Sequence, residues 1–128
     1  MQVKYADLNS YFIRDKHRIM PRLEKFLTNE FYIGGPALQK FEGNFARYVR
    51  APFCVGTGNG YDALVLALKA LDIGIGDEVL VPAQTFIATW LAVTAVGAKP
   101  VPVEIDKKTY GIDPTLIAHS ITARTKAI

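Results

Sequence analysis

Cysteine is almost missing from this sequence of 128 residues: Cys54 stands alone in the apolar run Phe53-Cys54-Val55. A lone thiol cannot close an intrachain disulfide, so burial must hold the fold without crosslinks, and a reduced cytoplasmic setting is expected. Cys54 itself reads as a small buried hydrophobe. Histidine is nearly as scarce. His17 and His119 lie too far apart to make a metal-ligand spacing, so no metal site is expected and both read as helix-surface residues. Long apolar runs are missing too: none approaches the roughly 20 residues of a membrane span. Met1-Gln2-Val3-Lys4-Tyr5-Ala6-Asp7 has neither the basic start nor the apolar core of a signal peptide. The 15 basic and 12 acidic residues leave a net charge of +3 without forming a stripe of one sign, so neither nucleic acid nor a membrane is an expected partner.

What is present is a hydrophobic content of 50%, enough for one modest core. Up to residue 50 the pattern is helical. Ile19, Leu23, Phe26, Leu27 and Glu30 form one stripe and Leu38, Phe41, Phe45, Tyr48 and Val49 another. Ile33-Gly34-Gly35-Pro36 separates them, with Pro36 suited to the first turn of the second helix. After Ala51-Pro52 the pattern alternates: a strand over 53–57, a helix over about 59–71, a strand over 79–81, a helix over about 87–96 and a strand over 101–105. Ile73-Gly74-Ile75-Gly76-Asp77 and Gly97-Ala98-Lys99-Pro100 punctuate these elements, and Trp90 in the second of the helices reads as packing. A short helix over roughly 114–121 then leads into Arg124-Thr125-Lys126-Ala127-Ile128, which starts a further strand. The expected organisation is a helical segment over 1–50 and an α/β segment over 51–128, with a mainly parallel sheet and flanking helices. The final residues open an element that they do not complete, so the chain is expected to be truncated.

The strongest chemical signal is Val55-Gly56-Thr57-Gly58-Asn59-Gly60-Tyr61-Asp62, a glycine-rich turn between a strand and an amphipathic helix. Glycine lets the backbone approach a ligand closely, and the free N–H groups of a first helical turn sit at the positive end of the helix dipole, a combination that suits a phosphate. Thr57 and Asn59 are the obvious side-chain donors. The same residues would also serve as a tight βα turn with Asn59 as the helix N-cap. A P-loop is excluded because Tyr61 and Asp62, not Lys and Ser or Thr, follow Gly60. A dinucleotide fingerprint would place its third glycine at position 61, which is tyrosine, and would end the second strand on an acid, whereas that strand ends Val81-Pro82.

A second signal lies at the carboxyl end of the 79–81 strand, where open α/β sheets bind ligands. There Ala83-Gln84-Thr85-Phe86 offers polar contacts from Gln84 and Thr85 and an aromatic able to stack on a flat heteroaromatic ring. The alternative for Phe86 is a core position at the start of a helix.

Together, in this order and at this separation, these segments resemble the DegT/StrS-type sugar aminotransferases, which depend on pyridoxal 5'-phosphate (PLP) and share the aspartate-aminotransferase fold. The resemblance spans nearly the whole chain. It includes Ala6-Asp7-Leu8, Phe31-Tyr32-Ile33-Gly34-Gly35-Pro36, Phe41-Glu42 with Phe45-Ala46, and Gly56-Thr57-Gly58-Asn59-Gly60 with Asp62-Ala63-Leu64. It continues through Gly76-Asp77-Glu78-Val79, Val81-Pro82 with Thr85-Phe86, and Gly97-Ala98-Lys99-Pro100-Val101 up to Asp106.

The resemblance implies the N-terminal portion of a fold type I large domain and, for the complete protein, transfer of an amino group from an amino acid such as glutamate to a nucleotide-linked keto-sugar. Thr57, Gly58, Asn59 and Gly60 correspond to the cradle of the cofactor phosphate, and Phe86 to the aromatic stacked on its ring. Tyr32, Gly34 and Thr85 correspond to the substrate side of the site. The aspartate that pairs with the pyridine nitrogen and the lysine that anchors the cofactor have no counterpart in residues 1–128, so no catalytic residue is assigned and the chain alone is expected to be inactive. The complete protein is expected to be a cytoplasmic homodimer. Two alternatives stay open: a sugar dehydratase with the same N-terminal half, in which histidine replaces the lysine, and a non-catalytic truncated product.

Overall fold

The structure, a computed structural model, describes residues 6–29 and 31–128. The chain divides into two units, Met1–Gly56 and Thr57–Ile128.

In the first unit, helix α1 runs over Leu8–Asn29 and helix α2 over Pro36–Val49. The apolar stripe beginning at Ile19 marks only the second half of α1. The helix starts eleven residues earlier, where Ser10 Oγ donates to Asp7 Oδ2 at 2.5 Å. Tyr11, Phe12 and Ile13 are consecutive and exposed there, so they make no single stripe for periodicity to detect. Pro21 lies inside α1 and deprives the His17 carbonyl of its usual donor. Glu30 lies outside the described residues. Pro36 does open α2, after Gly35 at the N-cap, and the helix closes on Arg50 in the left-handed region at φ 57°. Its apolar side is a ladder of rings, Phe41 to Phe45 at 5.7 Å and Phe45 to Tyr48 at 6.3 Å.

The strand expected over 53–57 is not formed: no strand among the described residues includes that segment. An extended segment becomes a strand only when a neighbour satisfies its amides and carbonyls. Here the Gly56 amide donates instead to the Glu42 carboxylate at 2.7 Å, and Phe53 and Val55 are exposed. Cys54 is a free thiol, half-buried and not fully enclosed.

The second unit holds α3 (Gly60–Ala70), β1 (Glu78–Pro82), α4 (Ile87–Ala95), β2 (Lys99–Val103), α5 (Pro114–Ser120) and β3 (Thr125–Ala127). All strand pairs are parallel, in the order β2-β1-β3. β1 is central and apolar beyond its first residue, as a strand covered on both faces must be. Val79, Val81, Ile73, Val93 and Ala98 form the core, with Leu68, Trp90, Val96 and Ala127 packed against it, so Trp90 is a packing residue. α3 packs on α4.

β2 begins at Lys99, two residues before the start expected from the sequence, and ends at Val103. Its two prolines explain the difference. β2 is an edge strand, its inward amide at Lys99 donates to Asp77 at 2.9 Å, and Pro100 and Pro102 alternate with the inward-facing positions, where a missing N–H costs no ladder bond. Ile105 leaves the strand and forms an isolated antiparallel bridge with Ile112.

Among the described residues one charged side chain is buried, that of Glu78 at 3% exposure, the first residue of β1. Its carboxylate accepts from the Thr122 hydroxyl at 2.6 Å and from Arg124 Nη2 at 2.8 Å and Nε at 3.3 Å, while Lys99 Nζ stands 3.6 Å away. The Thr122 and Arg124 hydrogen bonds hold this carboxyl at about 2, below its ordinary 4.5, against the opposing push of burial. A carboxyl depressed by folding contributes stability above its unfolded pKa and loses it as pH falls through its folded one. Denaturant midpoints of the full-length protein and its Glu78→Gln variant should therefore differ, with the variant less stable, at neutral pH. The difference should shrink as pH falls from 4.5 towards 2. A difference independent of pH would contradict the ionised network.

Candidate functional site

Helix α3 starts where it does because Asn59, extended at φ −164° and ψ 171°, turns its side chain onto the first turn. Asn59 Oδ1 accepts from the Asp62 amide at 2.9 Å, and the Asn59 carbonyl accepts from the Ala63 amide at 3.2 Å. Of the first-turn amides, those of Gly60 and Tyr61 are left without a partner among the described residues. They lie at the positive end of the helix dipole, and the space beside Gly60 is open: a Cβ added there would meet nothing within 4 Å. Thr57 Oγ1 donates to the Asn59 carbonyl at 3.0 Å and braces the turn from the other side. Asp62, overlooked in the sequence as a site residue, accepts from Asn59 Nδ2 at 2.9 Å.

The second part of the site is set by the place where β1 ends. Ala83 makes the last rung, its amide donating to Val103 at 2.8 Å, and the chain then leaves the sheet through Gln84 and Thr85. Phe86 occupies the N-cap of α4 with no side-chain cap hydrogen bond, and the residue is 77% exposed. Ser, Thr, Asp and Asn are the residues that stabilise an N-cap, and the structure uses Asn59 and Asp113 in that way elsewhere. Phe86 makes no side-chain cap hydrogen bond and is not part of the core formed by the described residues.

Asn59, Gly60 and Phe86 line one hollow of about 710 Å³ together with Tyr61, Leu64, Ala88 and Thr89. Its lining is mostly apolar and includes Gly60 and Tyr61, the first residues of α3. This is the arrangement of a site for a flat ring bearing an anion. Thr57 and Gly58 lie immediately before the lining residues. Thr85 sits beside the hollow with its hydroxyl 3.2 Å from that of Thr89, a partner four residues on that helical spacing could have indicated. Tyr32 and Gly34 belong to the other unit. There the Tyr32 hydroxyl donates to the Leu27 carbonyl at 2.7 Å, its ring lies 5.8 Å from that of Phe26, and Gly34 adopts φ +66°, a conformation that favours glycine. His17 and His119 are exposed on α1 and α5.

The chain matches the DegT/DnrJ/EryC1/StrS aminotransferase family over residues 14–128 and belongs to it. It is 46% identical over 126 residues to the dTDP-3-amino-3,6-dideoxy-alpha-D-galactopyranose transaminase of Aneurinibacillus thermoaerophilus, covering 98% of this chain and 35% of that protein. Its fold is similar to that of S. venezuelae DesV, solved in complex with a ketimine intermediate. The TM-score is 0.90 at 42% identity, over 98% of this chain and 34% of that one. The PLP form of a sugar aminotransferase, Spr1654 from Streptococcus pneumoniae, matches with a TM-score of 0.76 at 33% identity, over 87% of this chain and 28% of the other. The chain thus spans about a third of the length of the relatives it matches. The α/β fold of PLP-dependent aminotransferases expected from the sequence is the fold observed.

The cap geometry generates its own test. In the full-length protein Asn59→Ala should lower the unfolding free energy by about 1 kcal/mol, and Asn59→Gly by only a few tenths, measured by urea denaturation. Equal losses from the two substitutions would contradict the cap.

Proposed function

We propose that this chain supplies the phosphate-binding end of the cofactor site in a PLP-dependent aminotransferase. The full-length protein would move an amino group from an amino acid such as glutamate to a nucleotide-linked keto-sugar. The observation that carries this reading is the hollow lined together by Asn59, Gly60, Tyr61 and the exposed Phe86, at a helix start whose Gly60 and Tyr61 amides have no partner among the described residues. The transaminase name of a relative 46% identical to this chain supports amino transfer over the dehydratase alternative.

The residues present fit PLP. Gly60 and Tyr61 offer backbone N–H groups and Asn59 a side-chain N–H to the phosphate, with Thr57 bracing the turn and Gly58 leaving it unobstructed. Phe86 gives the ring an apolar face and excludes water from one side of it. Thr85, with Tyr32 and Gly34, is assigned to the sugar-nucleotide side. Bound PLP supplies an electron sink and a carrier for the amino group, chemistry that no side chain of this chain can supply by itself. The work of these residues is to bind and orient.

We assign the full-length protein to the cytoplasm as a homodimer. Large apolar side chains left open in the structure, among them Phe53 and Ile75, call for cover by the rest of the full-length chain or by a second copy. Sedimentation should give twice the mass of one full-length chain, and an active monomer would contradict the assignment.

Titration of the full-length apoprotein with PLP, followed by absorbance, tests the site. Gly60→Val should raise the dissociation constant at least about tenfold, a loss of about 1.4 kcal/mol, because it closes the approach to the amides. The same substitution should scarcely change the denaturation midpoint, since the added atoms meet open space. Phe86→Ala should weaken binding by up to about tenfold through lost stacking. A Gly60→Val protein that binds PLP like the wild type would refute the site. A wild-type protein that binds PLP but transfers no amino group from glutamate to any nucleotide-linked keto-sugar would refute the reaction.

A further inference from the structure

We propose that Asp62 is a positioning residue for this anion site, acting through the side-chain amide of Asn59; the inference rests on the reading of the hollow as a phosphate site. Two hydrogen bonds join the pair, from the Asp62 amide to Asn59 Oδ1 and from Asn59 Nδ2 to Asp62 Oδ2, each 2.9 Å long. One such bond would leave the amide group free to swing about its axis. Two bonds to a single residue fix its plane as well. They also fix its polarity, because a flipped amide would set its oxygen against the carboxylate. The NH₂ group carries two hydrogens and Asp62 takes one, so the other remains for a ligand, at the same helix start as the amides of Gly60 and Tyr61.

Asp62 contradicts the simplest electrostatic design, since a carboxylate in the first turn repels a phosphate. That conflict separates the two roles by sign. If Asp62 were only a charge, its removal would tighten anion binding. If it positions Asn59, removing the acceptor atom must weaken binding, while replacing the charge with a neutral acceptor must not. The geometry favours positioning, because one carboxylate oxygen is engaged by Asn59 and the backbone amide of the same residue completes the ring.

The test uses the full-length apoprotein, titrated separately with PLP and with inorganic phosphate, in five forms: wild type, Asp62→Ala, Asp62→Asn, Asn59→Ala and the Asn59→Ala/Asp62→Ala double variant. Asp62→Ala should weaken both ligands by about two- to tenfold, the range of one hydrogen bond. Asp62→Asn keeps an acceptor and should bind both at least as tightly as Asp62→Ala does, returning to wild-type affinity or better. In the Asn59→Ala background the second substitution should cost nothing further. Asp62→Ala binding phosphate as tightly as wild type, or additive losses in the double variant, would overturn the role of Asp62 while leaving the site intact. If Asn59→Ala leaves both affinities unchanged, this inference falls while the amide site stands; if the wild type binds neither ligand, the site itself falls and this inference with it.

Discussion

The three strands of the sheet are tied together at one buried carboxylate, that of Glu78, and the geometry of the candidate site depends on that tie. Thr122 and Arg124 lie just before β3, Lys99 opens β2, and Glu78 opens β1. Burying a carboxylate is costly unless hydrogen bonds and opposite charge offset its lost hydration, and removing one partner leaves an uncompensated charge. The observed arrangement of the strand starts brings all three partners to Glu78. Parallel strands that start together run the same way, so the order at this edge is transmitted along the ladder to the opposite one.

At that opposite edge the transmitted order becomes chemistry. Glu78 pairs with Lys99 and Pro82 with Val103, so β1 and β2 end level, and the Ala83 amide closes the last rung on Val103. Beyond that rung the chain is free of the sheet, and Phe86 stands at the start of α4 without contributing to its capping. α3 packs on α4, which brings the start of α3, with Asn59 and Gly60, to the same hollow as Phe86. The helix starts of α3 and α4 thus frame the cavity. One presents open backbone donors and the other an open aromatic face, and each would be a poor choice for stability alone.

The parts of this design that were legible in the sequence are those set by local rules. Asn59 as a cap, α3, β1, α4 and α5 follow from capping residues, glycine punctuation and apolar runs, and their bounds differ from expectation by a residue or two. The departures come from interactions that a local pattern does not contain. The 53–57 segment has strand-like composition but pairs with no strand among the described residues. β2 admits Pro100 and Pro102 because it lies at an edge, a fact of topology. The first half of α1 carries its apolar residues side by side, without a stripe. At the site, Gly60 and Phe86 were legible because loop chemistry and strand ends are local. The pairing of Asp62 with Asn59 runs through the side-chain amide and not the backbone N–H of a capping box, so spacing alone did not disclose it.

The central claim is that the open amides at the start of α3 hold the phosphate of a cofactor whose ring rests on Phe86. A crystal structure of the full-length protein grown with PLP tests it most directly. The predicted result is phosphate oxygens at about 2.7–3.2 Å from the amide nitrogens of Gly60 and Tyr61, with the pyridine ring against the Phe86 side chain. A phosphate bound elsewhere, with those amides left to solvent and the Phe86 ring bare, would contradict it.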